Sequence, residues 1–148
     1  MILCVPGSTA TGRTTDALVE LVDVYPTLVE ACGLTLPAGL EGQSLLPLLK
    51  DPSRSWKPAV FSQYPRMVQG HRHRGPGDIM GYAVRTRRFR YVQWQDWKTR
   101  DVLARELYDE RSDPHEMLNL AANPKFSRPL QELSEVLSRG WRVMKVPE

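Results

Sequence analysis

The sequence predicts an α+β fragment, a small antiparallel sheet with a packed C-terminal helix and an N-terminal strand–helix piece. Three observations carry that expectation. The stretch "IMGYAVRTRRFRYVQWQDW" reads as a hairpin, with Met80, Tyr82, Val84 and Thr86 alternating with Gly81, Ala83 and Arg85. Leu130, Leu133, Val136, Leu137 and Trp141 recur at helical spacing near the end of the chain. The start, "ILCVP", is a short apolar run that Pro6-Gly7 stops, followed by a polar loop and an amphipathic segment. At 148 residues the chain is long enough to bury a core, and 41% apolar content is ordinary for a folded domain.

Each element has its own local reason. In "DALVELVDVYPTLVEACGL", Leu18, Leu21, Val22, Tyr25, Leu28, Val29 and Cys32 recur with the helical period, which predicts a stripe facing a core. Pro26 conflicts with a continuous helix, because an interior proline costs about 3 kcal/mol. The conflict disappears if Asp23 caps a new helix, leaving Pro26 in the first turn and Gly33 just past the end. A short helical turn is expected near Leu45–Leu49, and "PAVFSQYPR" reads as a strand ended by Pro65. Residues 66–78 show no period and read as a long exposed loop. "RELYD" gives a further short strand. Asp113, Pro114 and Glu116 form an N-cap, N1 and N3 set that predicts a helix start. Ser127 is expected to cap the last helix.

Charge is unevenly spread. Between Arg54 and Arg100 stand eleven Lys/Arg and two acidic residues, while the flanks hold nine Lys/Arg and fifteen acidic residues. A basic middle third points to an anionic partner, or to a solvated strand face. Arg85, Arg87, Arg88 and Arg90 interleave with Phe89, Tyr91, Trp94 and Trp97. Guanidinium forks bind sulfate, carboxylate or phosphate, and aromatic faces stack on sugars or bases. The plainer reading turns the aromatics inward and the arginines outward on a half-exposed sheet. No period explains Arg66, His71, Arg72, His73 and Arg74.

The chemistry of a complete active site is missing from the pattern. His71 and His73 could share a metal, but Arg72 and Arg74 between and beside them would repel a cation. "RGPGD" lacks the lysine and following helix of a phosphate loop, and no nucleic-acid motif accompanies the basic hairpin. No apolar window is long enough to span a membrane, and no signal-peptide pattern opens the chain. Cys4 and Cys32 do not make a disulfide framework, and both are expected to be free, Cys32 on the apolar side of its helix.

"ELYDERSDPHEMLNLAANP" (106–124) resembles the C-terminal hallmark of sulfatases, and "LVDVYPTLVEACGL" (21–34) is similar to a helix of the same family. "FSQYPR" (61–66) and "MGYAVRTRRFRYVQW" (80–94) look most like iduronate-2-sulfatases and their bacterial relatives. The resemblance covers nearly the whole chain. It implies an α/β, alkaline-phosphatase-like parent in which residues 1–50 end the large domain and 51–148 form the C-terminal subdomain. Such parents hydrolyse sulfate esters with formylglycine and calcium, and are usually exported, periplasmic or lysosomal. The formylglycine signature is Cys-x-Pro-x-Arg, whereas Ser8 stands four residues after Cys4 and no Lys, Arg or His lies within eight residues of it. Cys4 therefore reads as a strand residue. The resemblance places the catalytic and calcium-binding motifs upstream of this segment, so no catalytic residue, metal ligand or cofactor is expected in this chain.

The resemblance does imply a substrate-bordering region, onto which Gln63, Tyr64, Arg66, His71, Arg72, His73 and Arg74 map. Its expected partners are a sulfated, glycosaminoglycan-type sugar and an N-terminal sulfatase domain, with neither nucleic acid nor membrane. A stand-alone binder of sulfated polysaccharide or another polyanion is the alternative. If the first strand and helix lack their sheet neighbours, residues 1–50 will exchange amide protons faster than 58–148. Uniformly slow exchange across both parts would contradict this.

Overall fold

The computed structural model describes residues 1–7, 12–66 and 79–144. The chain divides into two compact units, Met1–Lys57 and Pro58–Met144.

In the second unit, four strands form an antiparallel meander: β1 (Val60–Arg66), β2 (Ile79–Arg85), β3 (Phe89–Asp96) and β4 (Val102–Asp109). The hairpin predicted over 79–97 is present, with Val84 opposite Tyr91 and Arg85 opposite Arg90. β1 continues through Pro65 to Arg66 instead of stopping there. It can do so because it is an edge strand, where a proline's missing N–H does not break the ladder. Helix α3, here Ser127–Arg139, packs on β2 and β3. Leu133 joins Ala59, Val84, Tyr91, Leu107 and Leu120 in the core, and Leu130, Val136 and Leu137 pack around it. The predicted stripe is thus the buried face of this helix for Leu130, Leu133, Val136 and Leu137, while Trp141 lies beyond its end in a 3-10 turn. Phe89 and Phe126 meet edge to face at 6.4 Å.

Two capping expectations are corrected. Asn123, not Ser127, makes the side-chain cap: it accepts from the Lys125 amide at 3.1 Å and closes a 3-10 turn that runs into α3. No helix follows Asp113. Its carboxylate accepts from the Leu118 amide at 2.8 Å, and Glu116 adopts a φ of 54°. That left-handed conformation ends any helix at its first turn.

The first unit holds α1 (Val24–Ala31) and α2 (Leu46–Lys50). Asp23 stands at the N-cap position of α1, but its side chain does not cap the helix and accepts instead from Glu20 N. Pro26 lies in the first turn, and Gly33 takes a φ of 68° past the end. The burial is the reverse of that expected. The buried face is Asp23, Pro26 and Thr27, whereas Leu21 is 82% exposed and Val22, Tyr25 and Leu28 are also exposed. Cys32 is exposed as well. Residues 1–5 form no strand and Cys4 is exposed, because an apolar segment becomes a buried strand only beside paired neighbours.

An ion cluster organises this unit beside the buried Leu45 and Leu48. Asp23 is fully buried. Its carboxylate accepts from Glu20 N at 2.9 Å, Gln43 N at 2.9 Å and Lys57 Nζ at 2.6 Å. Lys57 also donates to Glu20 at 2.8 Å. Thr27 Oγ1 donates to the Asp23 carbonyl and accepts from Leu45 N at 2.8 Å, which ties α1 to the start of α2. Gly42 lies against the Val22 carbonyl, where a Cβ would fall 2.0 Å from the oxygen. Lys57→Met leaves two carboxylates without their cation, and removing one partner of a buried pair costs about 3–5 kcal/mol. The expected readout is lost amide protection over residues 20–50 with 79–139 unchanged; unchanged protection in both regions would refute it.

Candidate functional site

Three of the four arginines of the hairpin are matched by carboxylates, and Arg87 is exposed with none beside it among the described residues. Arg85 pairs with Glu110 at 3.0 Å, Arg88 with Asp109 at 2.8 Å, and Arg90 with Glu116 through both nitrogens of its fork. All three carboxylates come from the end of β4 and the turn after it, so the acidic flank folds back onto the basic hairpin. Arg88 donates from both Nε and Nη2 to Asp109 and holds that carboxyl below its ordinary value, against the opposing effect of burial. Arg90 lowers Glu116 in the same way, while burial pushes Glu110 up. The outward-arginine reading of the hairpin therefore describes these residues, with neutralisation added. Arg88 and Arg90 also lie over the rings of Phe89 and Tyr108 at 4.7 and 5.1 Å.

Of the seven residues expected to border a substrate, Gln63, Tyr64 and Arg66 are exposed on β1. The other four, His71, Arg72, His73 and Arg74, lie outside the described residues. The strand alternation separates the described three. Tyr64 and Arg66 share a face with Gly81 and Trp94, through the register Tyr64–Gly81–Trp94. Gln63 points to the opposite face, the one shared with Phe61 and Val84 that α3 covers.

Trp94 is the residue that the list of candidates omitted. Its ring lies flat over Gly81: a Cβ at position 81 would stand 2.7 Å from Cζ3 and 2.9 Å from Cε3. Its Nε1 donates to Glu106 on β4 at 2.8 Å. Arg66 reaches from β1 over the vacant position to lie 5.4 Å from the ring centroid. Among the described residues no carboxylate pairs with Arg66. The signal that could have found Trp94 was its place two strands across from Tyr64, with a glycine between, and that becomes visible only once register is known.

Among the described residues, no three His, Cys, Asp or Glu side chains are placed to hold a metal ion. Cys4 is exposed and outside regular structure, and no calcium or formylglycine chemistry is derived for this chain. No described helix is long and apolar enough to cross a membrane. A cleft of about 200 Å³ in the first unit, lined partly by Leu3, Arg13, Thr15 and Leu48, contains none of the candidate residues.

A four-stranded meander closed by one helix, with sulfatase-like segments in order along it, defines the C-terminal part of a sulfatase. The comparisons agree, and the chain belongs to the family described as N-sulphoglucosamine sulphohydrolase, C-terminal, which matches residues 1–142. It is 30% identical over 126 residues to arylsulfatase K of Xenopus laevis, covering 85% of this chain and 23% of that protein. It is 27% identical over 143 residues to an N-acetylglucosamine-6-O-sulfatase of Bacteroides thetaiotaomicron, covering 93% and 24%. A solved 2-O GAG sulfatase superposes with a TM-score of 0.61 at 30% identity, covering 79% of this chain and 23% of that one. A second solved protein, bound to its substrate D-glucosamine-2-N,6-O-disulfate, shares the fold with a TM-score of 0.61 at 24% identity, covering 79% and 22%. The chain spans about a quarter of the length of the curated relatives it matches.

Asp109 gives a pH prediction. A carboxyl lowered in the folded state stabilises fully above its unfolded value of about 4 and loses that contribution as pH falls through the folded value. Arg88→Gln should therefore move the acid unfolding midpoint of residues 58–144 to higher pH. An unmoved midpoint would remove Asp109 from the acid response.

Proposed function

We propose that this chain is the substrate-recognition part of a sulfatase acting on sulfate esters of glycosaminoglycan-type sugars, and that it contributes no catalytic residue of its own. Residues 1–50 would then complete the large α/β domain, and residues 51–148 would be the subdomain bordering its cleft. The observation that carries the reading is Arg66, exposed beside Tyr64 on β1, matched to no described carboxylate and lying over the Trp94 ring, where Arg85, Arg88 and Arg90 of the hairpin are neutralised from within. Relatives named as an N-acetylglucosamine-6-O-sulfatase and a 2-O GAG sulfatase, and one bound to D-glucosamine-2-N,6-O-disulfate, make a sulfated hexosamine or uronate the expected ligand class. Iduronate-2-sulfate remains one member of that class.

The exposed apolar residues of α1 support the second half of the proposal. Tyr25 and Leu28 on α1, with Leu21 in the turn before it, are exposed, and exposed apolar residues spaced in this way mark a surface meant for a partner. The N-terminal sulfatase domain is the partner the reading requires. Calcium and formylglycine would belong to that domain. Neutralisation of Arg85, Arg88 and Arg90 removes much of the charge that a stand-alone polyanion binder would use.

The test has two readouts on the purified 148-residue chain. With calcium and a fluorogenic iduronate-2-sulfate substrate, no turnover is expected; turnover that survives Cys4→Ala would mean that the chain carries catalytic groups after all. Titrated with glucosamine 6-sulfate, the chain is expected to bind, and to bind unsulfated glucosamine more weakly. Equal response to the two sugars would overturn sulfate recognition.

A further inference from the structure

We infer that Trp94 is a positioning residue that presents the Arg66 guanidinium as a fork for the anionic substituent of a sugar, a sulfate ester or a carboxylate. The inference rests on the sugar-recognition reading above and adds to it the device by which one arginine is selected.

The arginines of this sheet differ in how they are held. A guanidinium already paired with a carboxylate has its charge matched and its best donors used. Arg85, Arg88 and Arg90 are in that condition. Arg88 and Arg90 lie over rings as well, but Arg66 has the ring contact alone, its guanidinium over the Trp94 indole with no described carboxylate beside it. Arg100 over Trp97 is held similarly but spends a donor on the Tyr82 hydroxyl. An aromatic face attracts the cation through its quadrupole but accepts none of the N–H groups at the edge of the fork. The arrangement fixes the direction of the group while leaving its charge and in-plane donors available. A carboxylate in the same place would fix it and neutralise it together.

The rest of the cluster keeps the indole still. Gly81 lacks the side chain that would lift the ring, and Glu106 takes its only N–H. The ring is thus held from below by β2 and from its edge by β4, and it reaches toward β1. Three strands beside one another supply the parts, so the fork's position depends on sheet register and not on a loop. Tyr64, 68% exposed and on the same face two residues before Arg66, offers a second aromatic surface where a pyranose ring could lie once its anion is held. Planar fork geometry matches the oxygens of both sulfate and carboxylate, which is why the two substituents share one site.

The experiment measures binding of glucosamine 6-sulfate, glucuronate and inorganic sulfate to the intact chain, with the Arg66 Nε–H resonance followed by NMR. In the wild type without ligand, that resonance should be displaced by the indole ring current. Arg66→Gln should weaken binding of the anionic sugar by about tenfold, the scale of a charged hydrogen bond. Trp94→Leu should weaken it roughly three- to tenfold and release the Nε–H shift, and Trp94→Phe should restore part of both. Partial rescue by a face without an N–H separates positioning from a merely structural role, and Trp94→Phe also serves if the leucine variant does not fold. Arg85→Gln should leave affinity unchanged. Stronger binding of glucosamine 6-sulfate identifies a sulfate ester as the ligand, and stronger binding of glucuronate identifies a carboxylate. Inorganic sulfate binding as tightly as either sugar would refute a sugar site. If the sugar binds but the Arg66 and Trp94 variants bind it equally well, this inference fails while the recognition reading stands. If the wild type binds none of the three, both fail.

Discussion

The second unit depends on one constraint: the carboxylates of Asp109, Glu110 and Glu116 must close over the arginines of the β2–β3 hairpin. Three guanidinium groups crowded on neighbouring strands repel one another, and the hairpin becomes comfortable only when the segment after β4 returns to it. That return also brings Leu120 into the core, where its amide bonds the Leu107 carbonyl at 2.8 Å. Asn119 bridges the same junction, accepting from Leu107 N and donating to the Arg105 carbonyl. Charge matching and core closure are therefore one event, and the sulfatase-like "ELYDERSDPHEMLNLAANP" is the stretch that performs it.

Internal pairing of Arg85, Arg88 and Arg90 lowers the charge that this sheet presents to any polyanion. Arg66 keeps its charge and rests on the Trp94 ring, an orientation set by three neighbouring strands. Gly81 is where sequence and site meet in this scheme. A single absent side chain in the middle of β2 lets a tryptophan on β3 reach the neighbourhood of an arginine on β1.

Much of the fold was legible in the sequence, and the exceptions share a cause. The hairpin and α3 could be read because alternation and the helical period each express a local rule, and the core took those residues as the rule required. Pro26 and Gly33 likewise report local backbone demands. The helix after Asp113 was misread because its capping signal is local while Glu116 is claimed by Arg90, 26 residues earlier. Asp23 and Lys57 lie 34 residues apart, so nothing in the neighbourhood of either announces a buried ion pair. The stripe of α1 reads as a core face by periodicity alone, and period cannot say whether the surface that would cover it belongs to the same chain. Arg66 and Tyr64 were found through family resemblance, but Trp94 joins them only across the sheet.

Pro65 has a consequence for the molecule's behaviour in company. An edge strand is an invitation to pair with a strand from another molecule, and an arginine site on such an edge would be the first thing lost to self-assembly. A proline cannot supply the amide that an incoming strand would need in an unbroken ladder. The residue beside Arg66 is therefore placed to hinder strand addition along this rim of the sheet.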